Sequence, residues 1–494
     1  MKVVYDVLNW IDGNILWGIP MLILIIGAGI LVSCRTKFFQ VREFGYALKQ
    51  TMGKTFKLMV GKGDNKAKNN EKAISPFEAF CTAVSGTVGT GNIVGVTTAI
   101  ISGGPGAVFW MWISAFFGMV TKYAEIVLAM FFRKKDEKGE YIGGPMYYIE
   151  KGTKLKWLAI LFAVFTMLAA IGMSSVQADT IQSTWKTTFN LPTWVTAIII
   201  ASVTALVVIG GIKRIGKVTS IIVPFMAIFF ILMAIIVVCV NITAVPAVFA
   251  SIFASAFTTK SLLGGFAGYG IMMAMRYGFA RGVFSNEAGL GSSCIAHSSA
   301  DEIEPVKQGL WGILEVFIDT FIICTLTALF VLSSGVGVVD GAGASTALGA
   351  FTSIGGVIGQ IFKYSYAIIL PLFAFSTILA WAVYGEKACQ YIFGKKSNLP
   401  FNIVYVVMII GMALLTFFGG DNLGADFVWL ISDMTNALMA IPNLIGIIML
   451  SGLLVKITKN FFDRKNGKDV APMLSAYEDT NKELAEIVKD VVID

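Results

Sequence analysis

An all-α polytopic membrane protein is the fold class this sequence predicts, with eleven transmembrane helices. One is a peripheral N-terminal helix; the other ten form a five-plus-five inverted-repeat core whose first and sixth helices are broken. Three observations carry this. Of 494 residues, 56% are hydrophobic and only 14% charged, where a soluble domain carries about 25% charged residues. Apolar runs of roughly 18 or more residues, enough to cross a bilayer, recur along the whole chain; the roughly ten-residue alternating segments of a membrane β-barrel are not found. The third observation is the stretch Ser85-Gly86-Thr87-Val88-Gly89-Thr90-Gly91-Asn92, set inside the apolar run Pro76–Ile101. Gly costs about 1 kcal/mol per helical residue relative to Ala, and freed backbone groups are expensive in hydrocarbon. A helix opened at mid-membrane, with its backbone turned on a small ligand and an ion, accounts for that composition. A close-packing seam of small residues is the plainer alternative.

In chain order, the first span is Asn14–Ser33, long enough to cross and therefore read as a helix rather than a cleaved signal. Arg35 to Lys72 carries ten Lys/Arg against three acids, with Phe38, Phe39, Phe44, Tyr46 and Phe56 interleaved, which suits a helix lying in the interface. The second span, Pro76–Ile101, ends at the hinge Gly103-Gly104-Pro105-Gly106. Then follow Ala107–Phe132, Leu155–Gln182, Pro192–Gly211 and Lys217–Asn241. Val245–Phe257 reads as a short interfacial helix, and Gly264–Ile295, rich in glycine, as a second interrupted span. Val306–Leu332 is next, then a Gly-rich loop from Ser334 to Gly359, then Tyr364–Tyr384, Ile403–Phe418 and Phe427–Leu454. In the polar tail, Ala476–Val491 can form an amphipathic helix. The domains expected are residues 1–72 (peripheral helix and basic segment), 73–455 (ten-helix inverted-repeat core) and 456–494 (polar tail).

Charge tests this count. The odd-numbered loops are basic: ten Lys/Arg in the first and seven between Arg133 and Lys156. Lys213, Arg214 and Lys217, then Lys387, Lys395 and Lys396, continue the pattern, while the even-numbered loops carry little beyond Lys186, Lys260 and Lys363. The positive-inside rule then gives a multi-pass plasma-membrane protein with an external N-terminus and a cytoplasmic C-terminus. The net charge of +7 is accounted for by these loops and is no nucleic-acid signature. Without the first span, the two interrupted spans stand first and sixth of ten, which points to an inverted-repeat secondary transporter.

The six cysteines form no CxxC and lie in or beside apolar runs, as small packing residues do. His297 is the only histidine, so a zinc site is not expected, and a membrane enzyme lacks a nucleophile–base pair or metal cluster. A channel is the other alternative; paired broken helices favour a transporter.

Three motifs resemble the alanine or glycine:cation symporter family: Gly86-Thr87-Val88-Gly89-Thr90-Gly91-Asn92-Ile93, Gly103-Gly104-Pro105-Gly106-Ala107-Val108-Phe109-Trp110-Met111-Trp112, and Arg281-Gly282-Val283-Phe284-Ser285-Asn286-Glu287-Ala288-Gly289. Ser376-Thr377 to Trp381, with Tyr384-Gly385-Glu386, is similar too, and the resemblance runs from about Trp10 to about Phe461. It implies a leucine-transporter-like fold and sodium-coupled symport of alanine, glycine or a related small neutral amino acid into the cell. Proton coupling or a glutamine preference on the same fold are the alternatives. Sodium is then the coupling ion, with no cofactor; the partners are the amino acid, sodium and the lipid bilayer.

A zwitterionic substrate needs opposite partners in a dry place. Its carboxylate suits the N–H groups of Thr90, Gly91 and Asn92 at a half-helix N-terminus. Its ammonium suits unwound carbonyls near Phe279 or the side chain of Gln177. The resemblance places Asn92, Gln177, Phe279, Val283 and Trp381 around the substrate; ordinary packing is the alternative for the large apolar side chains. Sodium wants hard oxygen ligands, and Ser376 and Thr377 are paired with the carbonyls of Ser85 and Val88. Thr87 and Asn92 are weaker candidates for a second ion. Asp319 lies mid-span and is a functional suspect by default. It is expected to pair with Arg276 or Arg281 as a gate, with cation binding or proton carriage as alternatives. Glu287 is expected to cap the inner end of the second broken span.

Overall fold

The computed structural model describes residues 2–59, 70–257, 267–337, 343–418 and 423–488. Nearly every described element is a helix. Seven described helices are long and apolar enough to cross a membrane, and one bent pair makes an eighth.

Helices α1 (Lys2–Ile11) and α2 (Ile19–Arg35) join through a turn at Asp12–Leu16 and act as one apolar segment, Val3–Arg35. The basic segment folds into short helices, Phe39–Arg42, Phe44–Leu48 and Lys54–Met59. Helix α3 (Pro76–Thr87) starts on a reciprocal cap: the Glu78 N–H donates to Ser75 Oγ and the Ser75 N–H to Glu78 Oε2. It stops at Thr87. A short turn, Thr90–Asn92, leads into α4 (Val94–Gly103), and the two halves are bent by 55°. Gly104, at φ +73°, ends α4 where the hinge was expected.

Beyond it lie α5 (Gly106–Phe131), α6 (Lys156–Phe189), α7 (Thr193–Val208), α8 (Gly211–Val240) and α9 (Val245–Phe257). Between α5 and α6 a two-stranded antiparallel hairpin, β1 (Lys134–Lys135) with β2 (Tyr141–Ile142), is clamped by Lys395, whose ammonium lies 2.8 Å from Asp136 Oδ2 and also binds Glu140. Helix α8 turns Ile221, Phe225, Ile228, Leu232 and Ile235 outward, the apolar face expected against lipid.

The second interruption falls within the expected span Gly264–Ile295 but at its C-terminal end rather than near Phe279. Helix α10 (Ala267–Asn286) runs unbroken through Gly270, Gly278 and Gly282; Gly264 and Gly265 lie outside the described residues. The chain breaks only at 287–292, where Glu287, Gly289 and Gly291 take positive φ, before a short helix Ser293–His297. Gly278 and Gly282 serve contact instead: a Cβ at Gly278 would lie 2.5 Å from the Ala107 carbonyl. The carbonyls near Phe279 are therefore helical and not free for an ammonium group.

Pro305–Ser333 forms α11, with a widened turn at Phe317–Cys324 around Asp319. The Gly-rich stretch after it holds a helix, α12 (Gly343–Thr352), where a loop was expected. Then come α13 (Gly356–Phe393), α14 (Asn398–Phe418), α15 (Leu423–Lys465) and the tail helix α16 (Glu478–Val488). Helix α6 packs along α13 and α15, α10 along α5, and α3 along α8 and α13. The break in α3–α4 thus sits at the centre, walled by α6, α10, α11 and α13.

Candidate substrate and cation site

The opened segment is tied to three neighbouring helices by side chains. From α13, Thr377 Oγ1 donates to the Ser85 carbonyl at 2.9 Å and approaches Phe373 O at 3.0 Å. From α6, Gln177 Oε1 accepts from Thr90 Oγ1 at 2.9 Å. On α11, Asp319 Oδ1 accepts from Asn92 Nδ2 at 2.6 Å. All of these residues are buried. A hydrogen bond between such groups is worth about 1 kcal/mol net, and losing one partner leaves a buried polar group that costs 1–3 kcal/mol, roughly.

The glycines explain how the helices come so close. A Cβ on Gly89 would lie 2.4 Å from Thr377 Oγ1, and one on Gly86 2.7 Å from the Tyr384 hydroxyl. Gly89 has φ −128°, which any residue adopts. Its lack of a side chain therefore serves contact with α13 rather than backbone freedom.

The expected residues divide. Thr377 meets the Ser85 carbonyl as predicted. Ser376 does not: its hydroxyl donates back to Phe373 O at 2.9 Å and lies against Met226 Sδ. Val88 ends α3 at ψ 83°, which takes its carbonyl out of the helical pattern. Asn92 is committed to the break itself, since its Oδ1 accepts the Gly89 N–H at 2.9 Å while its amide nitrogen serves Asp319. Its own N–H goes to Gly89 O at 3.3 Å. The N–H groups of Thr90 and Gly91 are left without an acceptor among the described residues. Thr87 Oγ1 bonds back to Val84 O at 3.2 Å, so its hydroxyl faces its own helix. Phe279, Val283 and Trp381 are buried, with the Phe279 ring 6.0 Å from Trp110 and the Trp381 ring 5.5 Å from Tyr384.

Asp319 pairs with neither arginine. It is held by Asn92, by Ser285 Oγ at 3.0 and 3.1 Å, and by Thr320 Oγ1 at 2.8 Å. Arg281 instead reaches Asp433 of α15 at 3.2 Å. Helix geometry decides this: Arg281 and Ser285 are four residues apart on α10, and the turn nearer the break meets Asp319. Glu287 caps the end of α10 in the left-handed region, with Ser292 Oγ on its carboxylate. Ser285, Thr320 and Tyr384 belong to the site without having been assigned to it. Ser285 stands in the third motif beside Asn286, and that polar pair at the end of an apolar helix was the available signal.

A family model described as the sodium:alanine symporter family matches residues 1–474. The chain belongs to the sodium:alanine symporter family. Within it, the chain is 41% identical over 471 residues to an uncharacterized transporter of Haemophilus influenzae, covering 93% of this chain and 96% of that one. It is also 41% identical over 463 residues to the sodium/alanine symporter AgcS of Methanococcus maripaludis, covering 92% and 96%. Among solved structures, MhsT in complex with L-phenylalanine superposes with a TM-score of 0.56 at 15% identity, over 86% of this chain and 97% of that one. That likeness carries the leucine-transporter-like fold, as the motifs implied. Membership makes this a multi-pass membrane transporter of a symporter family.

Proposed function

We propose that the protein is a sodium-coupled symporter of a small neutral amino acid, alanine or glycine, working by alternating access. The observation that carries this is the Thr377–Ser85 contact across the break at 2.9 Å, a hydroxyl and a carbonyl brought together in a dry interior. Thr377 Oγ1 and the carbonyls of Ser85 and Val88 are the oxygens for sodium; Ser376 is dropped from that set. The N–H groups of Thr90 and Gly91 take the substrate carboxylate, and Gly91 leaves the backbone open to it. Gln177 takes the ammonium group. Phe279, Val283 and Trp381 bound the side-chain space and keep it small. Ion and carboxylate then sit on either side of Gly89, so binding of each orders the segment that the other needs. The transport core is residues 73–455, eleven helices cross the membrane, and the loops bearing Lys134 and Lys395 face the cytoplasm.

The deciding experiment is uptake of labelled alanine into proteoliposomes with sodium or choline outside, competed by L- and D-amino acids including glutamine. Uptake that is unchanged in choline rejects sodium coupling. Competition by glutamine as strong as by alanine rejects the small pocket.

One observation favours a second cation or a proton at Asp319. The carboxyl is fully buried and has no Lys or Arg within ion-pair distance among the described residues. A dry carboxylate without a countercharge is costly to keep ionised, even with hydrogen bonds from Asn92, Ser285 and Thr320. Asp319→Asn is expected to abolish the dependence of uptake on a second sodium ion or on pH, read as a drop in the sodium Hill coefficient or a flattened pH profile. Neither change would return Asp319 to a structural role.

A further inference from the structure

The N-terminal segment Val3–Arg35 stands outside the ten-helix core, yet it reaches the mouth of the site. Its turn at Asp12–Leu16 carries Asp12 and presents Trp17 inward; these two residues are 9% and 4% exposed. Trp17 Nε1 donates to the Asp433 backbone carbonyl at 3.1 Å. Asp433 in turn accepts from Arg281 Nη1 at 3.4 Å and Nη2 at 3.2 Å. Asp12 faces the guanidinium groups of Arg276 and Arg281 and the carboxylate of Asp433. The backbone lies so close that a Cβ on Gly13 would stand 2.2 Å from Arg276 Nη2. Of the four ionisable side chains gathered here from α10, α15 and the N-terminal turn, Arg281 and Asp433 pair, while Asp12 Oδ1 is buried without a hydrogen-bond partner among the described residues. The cavity among them holds about 40 Å³, space for water but not for an amino acid.

Arg281 also covers the site. Its Cδ lies 4.0 Å from where a Cβ on Gly95 would be, and its guanidinium is 5.4 Å from the Phe284 ring centroid; Phe284 in turn lies against Gly91. The Arg281–Asp433 pair thus bridges α10 and α15 above the opened segment, on the side away from Lys134 and Lys395. The pair is partly exposed, at 19% and 15% of the two side chains, and such pairs hold weakly alone. The buried indole donor of Trp17 contributes a hydrogen bond on the same scale.

We propose that Trp17 is a positioning residue of the outer gate. It holds Asp433, and through it Arg281, in the closed arrangement, and the site opens outward only when the N-terminal turn releases Asp433. The inference rests on the alternating-access reading above, but not on which amino acid or ion is carried.

The test reads access to the site directly. Phe284→Cys, at a position 5% exposed between the Arg281 guanidinium and Gly91, is the reporter in a background with the exposed Cys34 and Cys239 changed to Ser. Labelling by a membrane-impermeant maleimide from outside is followed in liposomes. Asp433→Ala and Trp17→Phe are each expected to speed labelling about fivefold, the factor that one lost hydrogen bond corresponds to. In the Asp433→Ala background, Trp17→Phe should add less than about twofold, because no carboxylate remains to be positioned. Turnover and KM for external substrate should both fall in Trp17→Phe, as expected when the outward-open state is favoured. Loss of turnover with KM and labelling unchanged would make the N-terminal turn a packing element and overturn the proposal. So would wild-type labelling in Trp17→Phe beside fast labelling in Asp433→Ala. If Asp433→Ala itself labels slowly, the gate is elsewhere and the proposal falls. Labelling needs no uptake, so failure of alanine transport and failure of the latch are read separately.

Discussion

Gly89→Ala isolates the contact on which coupling depends. The backbone at Gly89, φ −128° and ψ −153°, accepts alanine without strain. The cost is therefore steric: the new methyl would meet Thr377 Oγ1 at 2.4 Å. The Thr377 hydroxyl is held by Ser85 O at 2.9 Å and Phe373 O at 3.0 Å, so it cannot turn away without losing a bond. Overpacking of this kind costs about 1–3 kcal/mol. Thr377→Ala alone deletes the hydroxyl and leaves the Ser85 carbonyl short of a donor, costing about 1 kcal/mol. The double variant Gly89→Ala/Thr377→Ala removes both the clash and its cause. Its stability should lie within about 1 kcal/mol of Thr377→Ala, a favourable coupling of roughly 1–2 kcal/mol against the sum of the single changes. Thermal unfolding in detergent measures the three variants. Sodium-dependent uptake is measured in parallel: Thr377→Ser should keep most activity, while the double variant recovers stability and stays inactive. Additive stabilities, or a Gly89→Ala protein as stable as wild type, would refute the close approach of α13 to the break. An active double variant would refute the assignment of Thr377 Oγ1 to sodium.

Three further outcomes follow from the geometry. Asn92→Ala should abolish uptake at normal expression, because its side chain both bridges the break at Gly89 and serves Asp319; retained uptake would show the bridge to be dispensable. Phe279→Ala should open the side-chain space and let larger neutral amino acids compete with alanine about tenfold better, on the scale of a contact worth 1–3 kcal/mol; an unchanged competition profile would place the pocket wall elsewhere. The third concerns the hairpin. Burial by itself raises the Asp136 carboxyl, but Lys395 and the backbone N–H groups of Glu140 and Lys138 outweigh it and hold the group at about 2, below its ordinary 3.8. A depressed carboxyl stabilises the fold above its unfolded value and loses that contribution as pH falls through its folded value. Lys395→Met should therefore destabilise the fold at neutral pH by at most about 1 kcal/mol, read as a lower unfolding temperature. The gap to wild type should close between pH 3.8 and about 2; a gap that persists at pH 2 would point to packing of the lysine stem.

Much of the fold could be read from the sequence because lipid imposes a simple rule: a crossing helix must be apolar for its whole length, and its connections collect charge. Helix bounds match to within a few residues where a run ends in charge or glycine, as at Gly106–Phe131 against the expected Ala107–Phe132. The break at 85–92 was legible because the second interrupted span gave it a partner at the equivalent place of a ten-span core, which a packing seam alone does not explain. The glycines of α10 misled, because glycine serves a close helix contact as well as a break, and composition does not separate the two. Ser376 misled for a geometric reason. Adjacent residues on a helix do not share a face, so only one of Ser376 and Thr377 can meet α3, and the packing of α13 gives that place to Thr377.

By itself, the sequence determined that the chain crosses a membrane many times, that one apolar run opens within Ser85–Asn92, and that motifs around this opening are those of a symporter family. Hydropathy, glycine placement and motif order are local properties, and local properties survive in one dimension. Which charge meets which was decided only in three dimensions. Asp319 and Arg281 read as partners in the sequence, yet α10 turns Ser285 to Asp319 and sends Arg281 up to Asp433. Likewise nothing in the run Val3–Arg35 says that Trp17 will hold Asp433, 416 residues away. Such pairings are set by how helices rotate and settle against one another, and that is a property of the packed whole.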